Sequence, residues 1–154
     1  MEKTNNYKIR VFDSKDTDQV IDVIDKVLRD IKVIPESSDR IDDEDLFQIP
    51  QIYRDRGKFW VAIENEKVIG TVAIRDLGNN IAKLNRMFVL VGYHGSGVGQ
   101  KLLNTAINFA KDKKFSEIIL NTNVLMHRAH HFYEKNGFIK YAKNSEEYHY
   151  RLVL

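Results

Sequence analysis

An apolar run, Val89-Leu90-Val91, enters the segment Gly92-Tyr93-His94-Gly95-Ser96-Gly97-Val98-Gly99 and leaves it as Gln100-Lys101-Leu102-Leu103. A strand that turns through alternate glycines straight into a helix constrains the fold more than any other feature of this chain. Gly95, Gly97 and Gly99 have no Cβ, so the backbone there can take left-handed φ values and approach a ligand closely. Amides left without partners at a helix start, with the positive end of its dipole behind them, suit a phosphate or pyrophosphate. Spacing excludes the two commonest phosphate loops. A P-loop counted from Gly92 needs Lys after Gly97, where Val98 stands. A dinucleotide fingerprint counted from Gly95 or Gly97 needs a final glycine where Gln100 or Leu102 stands.

What remains, His94-Gly95-Ser96-Gly97-Val98-Gly99, resembles the Q/R-x-x-G-x-G/A coenzyme A loop of the GNAT superfamily of N-acetyltransferases, with His94 in place of the usual Arg or Gln. Leu84-Asn85-Arg86-Met87-Phe88-Val89 resembles the strand before that loop. Phe59-Trp60-Val61-Ala62 and Val68-Ile69-Gly70-Thr71-Val72-Ala73 resemble the family's central hairpin, and Ala129-His130-His131-Phe132-Tyr133-Glu134-Lys135-Asn136-Gly137-Phe138 is similar to its A-x-x-x-Y-x-x-x-G-F signature. The resemblance implies an α/β fold with a mixed, mostly antiparallel sheet, splayed at one strand and flanked by helices. It also implies direct transfer of an acetyl group from acetyl-CoA to an amine. Coenzyme A would then be held by Met87, Phe88, Val89, His94, Gly95, Ser96, Gly97, Val98 and Gly99, with Ala129 and Phe132, and Tyr133 would protonate the departing thiolate.

Composition agrees with one enzyme-sized domain. The 154 residues can bury a full core, so a single domain over 1–154 is expected. The chain has no cysteine, which removes disulfides, thiolate metal sites and a Cys nucleophile. Apolar runs are short and the first six residues lack a signal-peptide segment; a soluble cytoplasmic protein without membrane partners is the expectation. A net charge of +2 gives no footprint for nucleic acid. Its distribution is uneven, with 13 acids and 8 bases in residues 1–50 against 9 acids and 16 bases afterwards. A basic second part suits a polyanionic cosubstrate.

Periodicity predicts the elements. Tyr7-Lys8-Ile9-Arg10-Val11-Phe12 alternates like a strand. Val20, Ile21, Val23, Ile24, Val27, Leu28 and Ile31 form a helical stripe after a cap at Asp13 or Ser14, and Pro35 ends it. A shorter helix is expected from Asp43 to Tyr53. Phe59 to Glu64 and Lys67 to Arg75 read as a hairpin across Asn65-Glu66, with a third strand from Ile81 to Val89. A helix from Gly97 to Lys113, a strand from Glu117 to Asn121, a helix from His127 to Asn136 and strands over Phe138–Lys143 and Tyr148–Val153 complete the chain. The edge of the last strand offers two copies a place to pair as a homodimer.

Candidate chemistry follows. An alkylammonium has a pKa near ~10.4, so about one molecule in a thousand is free amine at neutral pH and a base or water chain must take its proton. Many members of the family carry a carboxylate on the third strand, yet Ile81 to Phe88 contains none. Glu64, His130, His149 and a water relay are the alternatives. His94 beside a phosphate favours its charged form, so the KM for acetyl-CoA should rise with pH and His94→Gln should flatten that rise. Met126 stands where many members have Asn. His127, His131 and Glu134 share a helical face, but with no further ligand no metal is assigned. Glu36, Asp39, Asp42, Asp43, Glu44 and Asp45 put six acids in ten residues, which suggests a cationic acceptor, a small-molecule amine or a peptide lysine or N-terminus. The reading is an acetyl-CoA-dependent N-acetyltransferase; the alternative is a non-catalytic acyl-CoA-binding or protein-interaction domain of the same fold.

Overall fold

The computed structural model describes residues 6–154; the reading of the first residues as free of a leader falls largely on 1–5 and lies outside the described residues. Seven strands form one sheet in the order β1-β2-β3-β4-β5-β7-β6. These are β1 Tyr7–Val11, β2 Lys58–Glu64, β3 Lys67–Asp76, β4 Ile81–Val89, β5 Glu117–Asn123, β6 Ile139–Lys143 and β7 Glu147–Val153. All neighbours are antiparallel except β4 and β5, which run parallel.

Helices cover both faces of the first four strands, which is why β2 and β3 read as unbroken apolar runs rather than alternating ones. Helix α1, Thr17–Asp30, lays Val20, Ile21, Val23, Ile24 and Val27 against Phe59, Val61, Ile63, Val68 and Ala73. On the opposite face α3, Val98–Asp112, buries Leu102, Leu103, Ala106 and Ala110 against Trp60, Ala62, Val72 and Ile74. Gly70 lets α3 approach β3: a Cβ there would lie 2.9 Å from Leu102 Cδ1. The β2–β3 hairpin turns at Asn65 and Glu66, with φ of 50° and 66°, the paired left-handed values that match the twist of the strands. Among the described residues no helix is long and apolar enough to cross a membrane.

Two expectations change. Asp43 to Tyr53 is not one helix but a 3-10 turn, Glu44–Phe47, and a separate turn of helix, α2, Ile49–Ile52. Pro50 lacks the amide a continuing helix would need, so the chain breaks at Gln48 and restarts with Pro50 in the new first turn. The last strand is not an edge, because β7 inserts between β5 and β6. The free edge beyond it belongs to β6, whose residues are all exposed.

Asp16 sets the entry to α1. Its carboxylate takes two hydrogen bonds from the Arg10 guanidinium, at 2.7 and 2.9 Å, and one from the Asp13 amide at 2.9 Å. The Arg10 bonds hold its pKa below the ordinary carboxylate value against the opposing cost of burial. A lowered folded pKa means the stabilisation is complete above the unfolded value, ~3.9, and is lost as pH falls through the folded one. Asp16→Asn should cost about 2 kcal/mol at neutral pH. Melting temperatures of the two proteins should draw together as pH falls below the ordinary carboxylate value and through the folded one; a gap that does not change with pH would assign the loss to packing instead.

Candidate active site

Strands β4 and β5 pair only where Ile81, Ala82 and Lys83 meet Glu117, Ile118 and Ile119. Beyond that point they part, and the cause lies in β4. Its register against β3 jumps from Thr71↔Phe88 to Ala73↔Asn85, an extra residue on β4. Arg86 occupies that bulge with φ 53°. Bulges bend and twist the strand that carries them, so β4 swings off β5. Its edge from Leu84 to Val89 is left facing a gap.

The gap forms a cleft of about 520 Å³. One wall is the glycine turn. Gly95 and Gly97 have φ of 82° and 94°, the left-handed region in which other residues are strained, and a Cβ on either would point into open space. Gly97 is the N-cap of α3, so the first-turn amides lack intrahelical acceptors. A Cβ on Gly99 would lie 3.7 to 4.0 Å from Val89 Cγ2, Met87 Cε and Phe132 Cζ, so a side chain at 99 would fill space beside the cleft. The opposing wall is α4, His127–Lys135, with Ala129, Phe132 and Tyr133 lining the cleft and Arg128 and Lys135 adding positive charge.

Nine of the eleven residues expected at the cosubstrate line this cleft: Met87, Phe88, Val89, His94, Gly95, Gly97, Gly99, Ala129 and Phe132. Two do not. Val98 is fully buried in the α3 core. The Ser96 hydroxyl turns back to donate to the Tyr93 carbonyl at 2.5 Å. Both sit in the turn, but their side chains serve its packing. His94 bends toward the strand end, where Nε2 lies 3.0 Å from the Val89 carbonyl oxygen.

Tyr133 is 6% exposed, and burial pushes its phenol well above the usual value. Its ring packs on Phe132, Phe138 and Tyr150 at centroid distances of 5.7, 5.6 and 6.3 Å. Its hydroxyl has no hydrogen-bond partner among the described residues. The other proton carriers lie elsewhere. Glu64 accepts from the Tyr93 hydroxyl at 2.6 Å, bracing the turn from below. His130 is buried, with Nε2 2.8 Å from the Asn123 carbonyl. His149 stands opposite Asn121 in the β5–β7 ladder, outside the cleft. Glu134, which shares a face with His127 and His131, accepts from the Tyr150 hydroxyl at 2.6 Å.

The acidic segment meets a partner that its sequence did not reveal. Arg86 donates to Asp45 at 2.6 and 3.1 Å and to Asp43 at 2.8 Å. Burial disfavours the guanidinium charge, yet the bonds and charges of Asp45 and Asp43 hold its pKa above the ordinary value. Tyr53 donates to Asp45 at 3.2 Å and accepts from Asn85. Sequence reasoning also missed Val27, Ile31, Tyr93, Gln100, Leu125, Arg128 and Lys135 at the cleft. Among them Arg128 and Lys135 carried a signal, being basic residues beside the Tyr133 signature.

Comparison with known proteins agrees with this geometry. The chain is similar to an acetyltransferase of the GNAT family from Staphylococcus aureus, with a TM-score of 0.87, 28% identity and coverage of 96% of this chain and 99% of that one. The fold is shared with the PaiA N-acetyltransferase of Thermoplasma acidophilum, solved in complex with coenzyme A, at a TM-score of 0.82, 20% identity and 96% and 99% coverage. Among curated relatives it is 37% identical over 99 residues to the N-acetylaspartate synthetase of Xenopus tropicalis, covering 61% of this chain and 36% of that protein. It is 35% identical over 95 residues to the probable N-acetyltransferase family 8 member 5 of Mus musculus, covering 58% and 42%. The chain spans less than half the length of these curated relatives. The model of the acetyltransferase (GNAT) family matches residues 24–138, and with the splayed sheet, the glycine turn and the Tyr133 helix in place, the chain belongs to that family.

Proposed function

We propose that the protein is an acetyl-CoA-dependent N-acetyltransferase, working in the cytoplasm as a single catalytic domain over 1–154 and transferring directly to a primary amine. The observation that carries this reading is the gap between β4 and β5, walled by the glycine turn on one side and by Tyr133 on the other. Bound acetyl-CoA would supply the activated acyl thioester. The first-turn amides of α3, with the bare Cα of Gly95 and Gly97, fit its pyrophosphate. Arg128 and Lys135 favour its anionic end. On the free edge of β4, a backbone amide near Val89 donates to the carbonyl oxygen that gains charge. Tyr133, kept neutral by burial, gives its proton to the leaving sulfur.

No carboxylate among the described residues lines the cleft, so proton removal from the amine is assigned to water held at the strand ends. The family's defining chemistry is tested by thiol release from acetyl-CoA across a panel of amines that includes L-aspartate, spermidine, a lysine peptide and simple alkylamines. Release that needs both acetyl-CoA and an amine supports transfer. Binding of coenzyme A without release from any amine would instead make this a non-catalytic acyl-CoA-binding domain.

A further inference from the structure

The cleft reaches both faces of the sheet, and the alternation of β4 sorts its lining. Met87 and Val89 pack with the α3 core, whereas Phe88 packs with the α1 core. Val27 and Ile31, at the end of α1, also line the cleft. The glycine turn lies on the α3 side of the cleft, and Val27, Ile31 and Phe88 line its α1 side. An acceptor entering by a mouth on that side could reach a thioester threaded from the other.

Its chemistry is apolar. No carboxylate among the described residues lines the cleft; of the six acids that suggested a polycationic acceptor, Asp43 and Asp45 lie on Arg86, and the neighbouring Asp25 carboxylate binds Arg29 and the Ile41 amide. A second ammonium entering this mouth would be desolvated without a counter-charge, while an alkyl or aryl group would leave water for Val27, Ile31 and Phe88. Resting on the acetyl-transfer reading of the same site, we infer that the acceptor is a monoamine bearing an apolar chain or ring that lodges between α1 and β4. The acetyl group leaves the thioester sulfur as the new C–N bond forms; the amine proton goes to water and a proton returns to the sulfur.

Thiol release at saturating acetyl-CoA, with propylamine, butylamine, pentylamine, hexylamine and spermidine as acceptors, tests this. The expected result is a kcat/KM that rises about threefold per added methylene, with hexylamine well ahead of spermidine. Ile31→Asp should lower kcat/KM for hexylamine about tenfold, and Ile31→Ala should do so by a smaller factor, with the dissociation constant for coenzyme A unchanged by calorimetry in both, which also reports that the variants fold. A flat series, or spermidine in front, overturns the inference while acetyl transfer stands. Coenzyme A binding with no release from any amine overturns the transfer reading and this inference with it.

Discussion

Tyr133→Phe should lower kcat by about 10–100-fold, leave the affinity for acetyl-CoA within a factor of two or so, and cause no loss of thermal stability. The three parts follow from one geometry. The ring sits in an aromatic cluster with Phe132, Phe138 and Tyr150, and phenylalanine keeps every one of those contacts. The hydroxyl has no hydrogen-bond partner to lose among the described residues, so its removal breaks no bond within the protein. A phenol held neutral by burial is a reliable but mild acid toward a thiolate whose own pKa is ~8.5, which limits the effect to that range. Thiol-release kinetics and a melting curve on one preparation check it. A stability loss with kcat intact would make Tyr133 a packing residue and remove the proton donor from the mechanism.

Local signals in the sequence carried most of the fold, and pairings between distant segments did not. Strand β4 and helix α4 begin at the residues expected, Ile81 and His127, because alternation and the 3.6-residue stripe are written in neighbouring residues. The glycine turn was legible for the same reason: the left-handed values at Gly95 and Gly97 require the residue type that stands there. Position 98 shows the limit, since a motif names a loop but not which side chains turn inward, and Val98 turns into the core. Strand order was hidden because β7 inserts between two strands that precede it, so the last strand in sequence is not the last in space. The acidic segment was only partly legible. Six acids in ten residues look like an attractive field, but Asp43 and Asp45 pair with an arginine some forty residues downstream, and no short-range pattern contains that pairing.

Replacing that arginine should be the costliest single change outside the core. Arg86 sits in the bulge at φ 53°, a conformation that costs a non-glycine residue about 1 kcal/mol or more, and it stays there because three residues hold it. Thr71 donates to its carbonyl at 2.7 Å, and its guanidinium ties the bulge to Asp43 and Asp45. With side-chain exposures of 18% for Arg86 and 24% for Asp45, the pair lies well below the water-screened surface where ion pairs contribute little. Arg86→Leu leaves the partly buried Asp45 carboxylate without its partner and should cost about 3 kcal/mol, a fall in Tm of about 6–12 °C at this chain length. Adding Asp43→Asn and Asp45→Asn should recover part of that fall, because it removes the stranded charge. Arg86→Gly should lose less than Arg86→Leu by about 1 kcal/mol, because glycine is at ease at that φ. If Arg86→Leu melts within about 2 °C of the parent, the cluster is an exposed pair in solution and the bulge holds itself.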